Sequence, residues 1–248
     1  MRTKNPTPKK SLQQKTPIRS MAISKSLPVQ LPPKSSTPLD RSNKINIYDK
    51  LAPLRGKFRN RNSYYHKEIE KAYRFIIPQG ANVLEIGCAT GDLLAALEPS
   101  RGVGIDFSEK MLEFARNRHP ELQFIQMDAE ALQLKETFDY VIISGLVGDL
   151  EDIQIFFNRL HQVTRPNTRI VIDYYNHLWE PFINLAEKIG LKMPLRHHNW
   201  LPLEDIQNLL SLSNFEVVNK TYRLLLPKRI PLFTTLCNRF LAKLPGIQ

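Results

Sequence analysis

The chain has 248 residues, 24% of them charged, and carries a net charge of +11 at neutral pH. Residues 1–44 hold ten Lys and Arg against one acid, Asp40, whereas residues 45–248 hold 25 against 23. The part able to fold is therefore almost neutral, which argues against a basic groove for nucleic acid. Two cysteines, Cys88 and Cys237, without C-x-x-C spacing exclude a disulfide framework and suit a reducing, cytoplasmic setting.

Residues 1–44 are rich in Pro, Ser, Thr and Lys and contain no aromatic residue. Such a segment buries too little apolar surface to offset its ordering entropy, and it is expected to be a disordered, solvated tail. Its basic, acid-poor composition also suits a transit peptide, although the prolines oppose an amphipathic helix. The N-terminus lacks the apolar segment of a secretory signal, and no apolar run approaches the ~20 residues of a membrane span. One folded domain over 45–248 is expected, with order from Ile45. The first predicted helix follows a cap at Asn62-Ser63 and runs to Ile77, where Pro78-Gln79-Gly80 stops it.

Val83 to Ile86 is a short apolar run interrupted by Glu85. It turns through Gly87, Cys88, Ala89, Thr90 and Gly91 and resumes as a helix from Asp92. Strand, small-residue turn and helix form the first unit of a doubly wound sheet, and glycines there let backbone approach a ligand. The helix start beyond Gly91 would offer N–H groups to a negatively charged ligand group. The second strand, Gly102–Ile105, ends in Asp106, 19 residues beyond Gly87, where a carboxylate suits two ribose hydroxyls.

This pair of stretches resembles motif I and the ribose acid of class I, Rossmann-like S-adenosylmethionine (SAM) dependent methyltransferases, with Ala89 in place of the pattern's middle glycine. The resemblance covers roughly residues 60–226. It implies a mostly parallel α/β sheet and SAM as cofactor. Glu85, Gly87, Cys88, Ala89 and Gly91 would then cradle the methionine side, and Asp106 with Phe107 the ribose. Asp128 would accept from the adenine amino group and Ala129 would donate a backbone N–H, with Ser144 also at the cofactor. Read without the resemblance, Asp128 is the cap of a short turn. The helix carrying Tyr64, Tyr65 and His66 would lie across the cofactor mouth.

In chain order, Ser108 caps a helix whose Met111, Leu112 and Ala115 face inward, and Leu122–Gln126 alternates as a third strand. Phe138–Ser144 reads as a buried parallel strand, followed by Gly145–Asp149, a helix over Asp152–Val163, and strand Arg169–Tyr174. Pro181 opens a helix that Gly190 closes. His197 and His198 are adjacent, which is poor metal spacing, and no metal is expected. A helix from Pro202 to Leu212 precedes a predicted sixth strand, Phe215–Leu226. Apolar residues from Ile230 to Leu244 then repeat at helical spacing, as a docked helix or a membrane-surface contact. No seventh strand is legible, so either the sheet closes differently or the chain is shorter than its relatives.

The expected activity is methyl transfer, to oxygen of a small molecule, sugar or lipid-linked glycan. Asp149 and His177, at the ends of strands four and five, are the candidate bases. Several stretches further resemble methyltransferase domains found beside glycosyltransferases in bacteria, which implies a glycosyltransferase partner. A non-catalytic module of the same fold and an NAD-type oxidoreductase are the alternatives; the E-x-G-x-A-x-G spacing and the lack of a Tyr-x-x-x-Lys pair oppose the latter.

Overall fold

The apolar runs of the sequence pair as parallel strands. A computed structural model describes residues 41–175, 179–193 and 199–221. Within them lie β1 (Asn82–Ile86), β2 (Arg101–Asp106), β3 (Gln123–Gln126), β4 (Tyr140–Ser144) and β5 (Arg169–Asp173). They form one sheet in the order β3-β2-β1-β4-β5. Strand order reverses between β1 and β4, where Val83 to Ile86 pair with Tyr140 to Ile143. A crevice opens outside the carboxyl ends of strands at such a switch. Register sets Asp106 beside Gln126 and Ser144 beside Asp173 at that edge.

Side chains alternate across the sheet and build a core on each face. On one face Tyr73, Ile77, Leu94, Leu112 and Ala115 pack over Val83, Phe124 and Ile142. These come from α2 (Ser63–Ile76), α3 (Asp92–Ala96), α4 (Glu109–Arg118) and their flanks. On the other face Phe156, Phe157, Ile206 and Leu210 cover Leu84, Ile86, Val103, Val141 and Ile143. They belong to α5 (Ile153–Arg159) and α7 (Leu203–Leu212); α6 (Glu180–Lys188) starts with Pro181 in its first turn. Ser108 caps α4 through the Met111 N–H, and Asn214, at φ +58°, takes the left-handed turn after α7.

The largest departure from the sequence reading is α1 (Arg41–Arg61), a 21-residue helix with Pro53 inside it. It takes in Arg41 to Lys44, which composition assigns to the tail. Propensity does not account for it, since Pro53 and Gly56 both oppose a helix. Tertiary contacts do: Leu51 and Ala52 are buried, and Asp49 accepts from the Ser108 hydroxyl at 2.5 Å. The Asn62 side chain makes no cap bond and instead donates to the Phe58 and Leu191 carbonyls. Residues 215–221, the described part of the predicted sixth strand, are not strand. The rest of that strand, the segment 230–244 and the tail before Arg41 lie outside the described residues.

Ala89 stands at φ +47°, left-handed backbone that costs a non-glycine residue roughly 1–2 kcal/mol. Its methyl is buried against Ala52 and Met111, so it belongs to the seat of α1. A buried methyl is worth about 0.8 kcal/mol and glycine adds unfolded-state entropy of similar size. These effects nearly cancel, so Ala89→Gly should shift unfolding free energy by no more than about 1 kcal/mol. The same variant should speed hydrogen exchange in α1; unchanged exchange there would show that the methyl does not seat the helix.

Candidate active site

The turn after β1 is fixed by hydrogen bonds to β2. Gly87 and Cys88 both donate to the Ile105 carbonyl, at 2.8 and 3.0 Å. Gly87 and Gly91 have φ of +74° and +70°, and a Cβ on Gly87 would come 3.1 Å from Leu146. A Cβ on Gly91 would strike the Phe124 ring at 2.5 Å, so packing requires that glycine whatever the ligand. Asp106 is buried and accepts from the Ala89 and Ser108 N–H groups, each at 2.9 Å and each on a different oxygen. Every carboxylate oxygen has a second lone pair, so both can still accept from a diol. Burial raises the Asp106 pKa against the pull of those two N–H bonds.

Glu85 is buried beneath this turn and accepts from the Leu94 N–H at 3.0 Å. That N–H, expected to be open to a ligand, is therefore occupied. The Cys88 side chain also turns away from the crevice: it packs in the core near Phe124, and burial raises its thiol pKa. Any part Cys88 has in the site is through its backbone.

Phe107, Asp128, Ala129, Leu146 and Asp149 line one small cavity, of about 30 Å³, at the ends of β2 to β4. Asp128 does cap the turn Ala129–Ala131, accepting from the Glu130 N–H at 2.8 Å, and it also pairs with Arg41. The turn-cap reading of Asp128 therefore holds, and its second oxygen is engaged by Arg41. Asp149 joins this cofactor-side group and accepts from the Tyr48 hydroxyl at 2.7 Å, while its carbonyl accepts from Lys44. Tyr48 meets Phe107 edge-on, with centroids 5.0 Å apart. Helix α1 therefore closes the crevice with a row of side chains the sequence reading did not single out.

A second group lies at the ends of β4 and β5. Tyr73 donates to Asp173 at 2.5 Å, and Ser144, expected at the cofactor, hydrogen-bonds into the same pair. Burial raises the Asp173 pKa, and the Tyr73 and Ser144 bonds hold it down in part. Tyr65 stacks on Tyr175 at 6.0 Å, and Lys192 lies over the Tyr175 ring at 5.4 Å. Tyr65 and His66 meet edge to face. Asp173 could have been found from its strand-end position. His177, His197 and His198 lie outside the described residues.

A family model described as a methyltransferase domain matches residues 58–220. The chain belongs to that methyltransferase family. It is 34% identical over 120 residues to a demethylmenaquinone methyltransferase of Streptomyces avermitilis, a match covering 48% of this chain and about half, 52%, of that enzyme. Identity to the demethylmenaquinone methyltransferase of Staphylococcus saprophyticus is 25% over 198 residues, covering 73% and 85% of the two chains. In fold it is similar to a SAM-dependent methyltransferase of Thermotoga maritima, with a TM-score of 0.59, 19% identity, and coverage of 69% and 81%. Membership of that family opposes the oxidoreductase reading and leaves SAM as the cofactor expected from the sequence. The side chains present fit that cofactor: Asp106 for a diol and Asp128 with Ala129 for a purine edge.

Two buried groups of this methyltransferase titrate in opposite directions. Desolvation pushes Glu85 up to about 8, with the Leu94 N–H and the charge of Arg55 opposing it. Desolvation takes His66 down to about 4, aided by Arg59 and Arg55. Folded Glu85 keeps a proton that the unfolded chain releases above 4.5, so it makes stability fall as pH rises toward 8. His66 makes stability rise with pH, but only between about 4 and 6.5. From pH 6.5 to 8 the Glu85 effect acts without it, with a slope of up to about 1.4 kcal/mol per pH unit. Denaturant titrations should show that decline and Glu85→Gln should flatten it; an unchanged slope would mean Glu85 is ionised at neutral pH.

Proposed function

We propose that the methyltransferase transfers a methyl group to a hydroxylated aromatic small molecule bound at the ends of β4 and β5. The observation that carries this reading is the Tyr65–Tyr175 pair beside Asp173, with Lys192 over one ring. Stacked rings suit a flat aromatic acceptor better than a sugar, and a buried carboxylate can take a hydroxyl proton. The relatives support the same class: two bear the name demethylmenaquinone methyltransferase, and a third, from Thermosynechococcus vestitus, 2-phytyl-1,4-naphtoquinone methyltransferase. A glycan acceptor with a glycosyltransferase partner draws no support from these names.

SAM supplies an electrophilic methyl on a cationic sulfur. The protein's part is to hold the acceptor in line, keep water out and remove a proton. Asp173 is placed for that last step: burial raises its pKa toward that of a useful base, and Tyr73 and Ser144 fix its orientation. Bound SAM would supply the methyl group and keep the C–S electron pair on its sulfur, and Asp173 would take the proton lost from the acceptor hydroxyl. Asp149, paired with Tyr48 on the cofactor side, is less well placed to receive it.

The direct test incubates the full chain with methyl-labelled SAM and naphthoquinols, simple phenols and sugars. Label on a phenolic oxygen is expected. Label on a ring carbon would keep the acceptor class and overturn O-transfer, and label on sugars alone would overturn the class. Asp106→Asn should weaken SAM binding about tenfold, the worth of one charge-assisted hydrogen bond. Calorimetry giving wild-type affinity would remove Asp106 from the ribose site.

A further inference from the structure

On α1, Tyr48, Ala52, Arg55 and Arg59 recur at intervals of four, three and four residues and so lie along one face of the helix. Contacts on both sides of Arg55 fix what that face looks at. Tyr48 meets Phe107 and Asp149, Ala52 packs on Ala89, and Arg59 reaches Asp92, the first residue of α3, at 3.7 Å. Arg55 therefore lies over the turn between Ala89 and Asp92. Its charge is felt at Glu85 and Asp106, whose pKa values it lowers, and at His66 and Lys192, where it disfavours a second cation.

Arg55 differs from the other cations of this helix face in one respect. Arg41 has Asp128, Lys44 has the Asp149 carbonyl, and Arg59 has Glu70 and Asp92. Among the described residues, no hydrogen bond or ion pair reaches the half-buried guanidinium of Arg55. Five N–H donors are thus left without a partner beside a turn that holds two carboxylates, Asp106 and the ion-paired Asp92, over a Glu85 that is protonated at neutral pH. SAM carries two cationic groups and one anion, its methionyl carboxylate. Asp106 offers that anion no partner, and the Leu94 N–H is already taken by Glu85.

We propose that Arg55 is the residue that clamps the methionyl carboxylate of SAM, pairing with it in the two-pronged geometry that guanidinium and carboxylate share. The inference rests on SAM being the cofactor. It explains why a polar, proline-containing helix is kept across the loop: α1 brings the one cation that the loop itself lacks.

The test compares two cofactors differing only in that carboxylate. SAM and decarboxylated SAM are titrated into the full chain by calorimetry, with wild type, Arg55→Gln and Arg55→Lys, each shown to be folded by its melting transition. Wild type should prefer SAM tenfold or more, about 1.4 kcal/mol. Arg55→Gln should lose that preference by weakening SAM alone, and Arg55→Lys should keep part of it. Three outcomes would overturn the clamp: Arg55→Gln retaining the preference, Arg55→Gln weakening both ligands equally, or wild type binding both alike. If SAM binding is untouched in Arg55→Gln while the acceptor KM rises, the guanidinium serves an anion on the acceptor. Wild type binding neither ligand would strike the SAM assignment itself, and the clamp with it.

Discussion

A single buried carboxylate ties the working edge of the sheet together. Asp106 ends β2, accepts the Ala89 N–H from the turn after β1, and accepts the Ser108 N–H at the start of α4. Each such bond to a charged acceptor is worth about 1.5–3 kcal/mol, and the burial of the charge acts against that gain. Removing the acid would release three segments together, because the turn, the cap and the strand end share it. Ser108 extends the linkage outward, since its hydroxyl donates to Asp49 on α1. Fold and cofactor cradle therefore rest on one set of hydrogen bonds.

The sheet was legible in the sequence because its strands are buried on both faces and read as short apolar runs between small-residue turns. The turn after β1 and the acid that ends β2 were legible because positive-φ positions and a strand-end carboxylate leave a recognisable spacing. Helix α1 was not: few of its residues are apolar and buried, Pro53 and Gly56 contradict its local preference, and what holds it is polar contact with distant residues. Asp128 was legible as the cap of a short turn, but its pairing with Arg41 was not, because α1 itself was not. Gly91 looked like a ligand-approach glycine, yet the Phe124 ring alone accounts for it. Ser144 was expected at the cofactor and Asp149 as a candidate base; the structure sets Ser144 with Asp173 and Asp149 with Tyr48 of α1.

The edge is divided by sign and by polarity. Toward β2 and β3 it presents carboxylates, and toward β5 it presents tyrosines around one carboxylate, with Lys192 above them. A cationic cofactor and a flat acceptor would meet between β1 and β4, the point at which strand order reverses. Chemistry at such a boundary needs little from the protein beyond alignment and dryness, and that suits a site in which most polar groups are engaged in holding one another.

The first turn of α1 gives the site a thermodynamic character of its own. Arg41 holds Asp128, which a purine would need, Lys44 holds the Asp149 carbonyl beside it, and the space left, about 30 Å³, has room for a water or two. With SAM as cofactor, that turn would compete with it for Asp128. Apparent affinity equals intrinsic affinity scaled by the fraction of molecules in which that turn has lifted. Ionic strength, which weakens the exposed Arg41–Asp128 pair, would then raise the open fraction and act on cofactor uptake from outside the chemistry altogether.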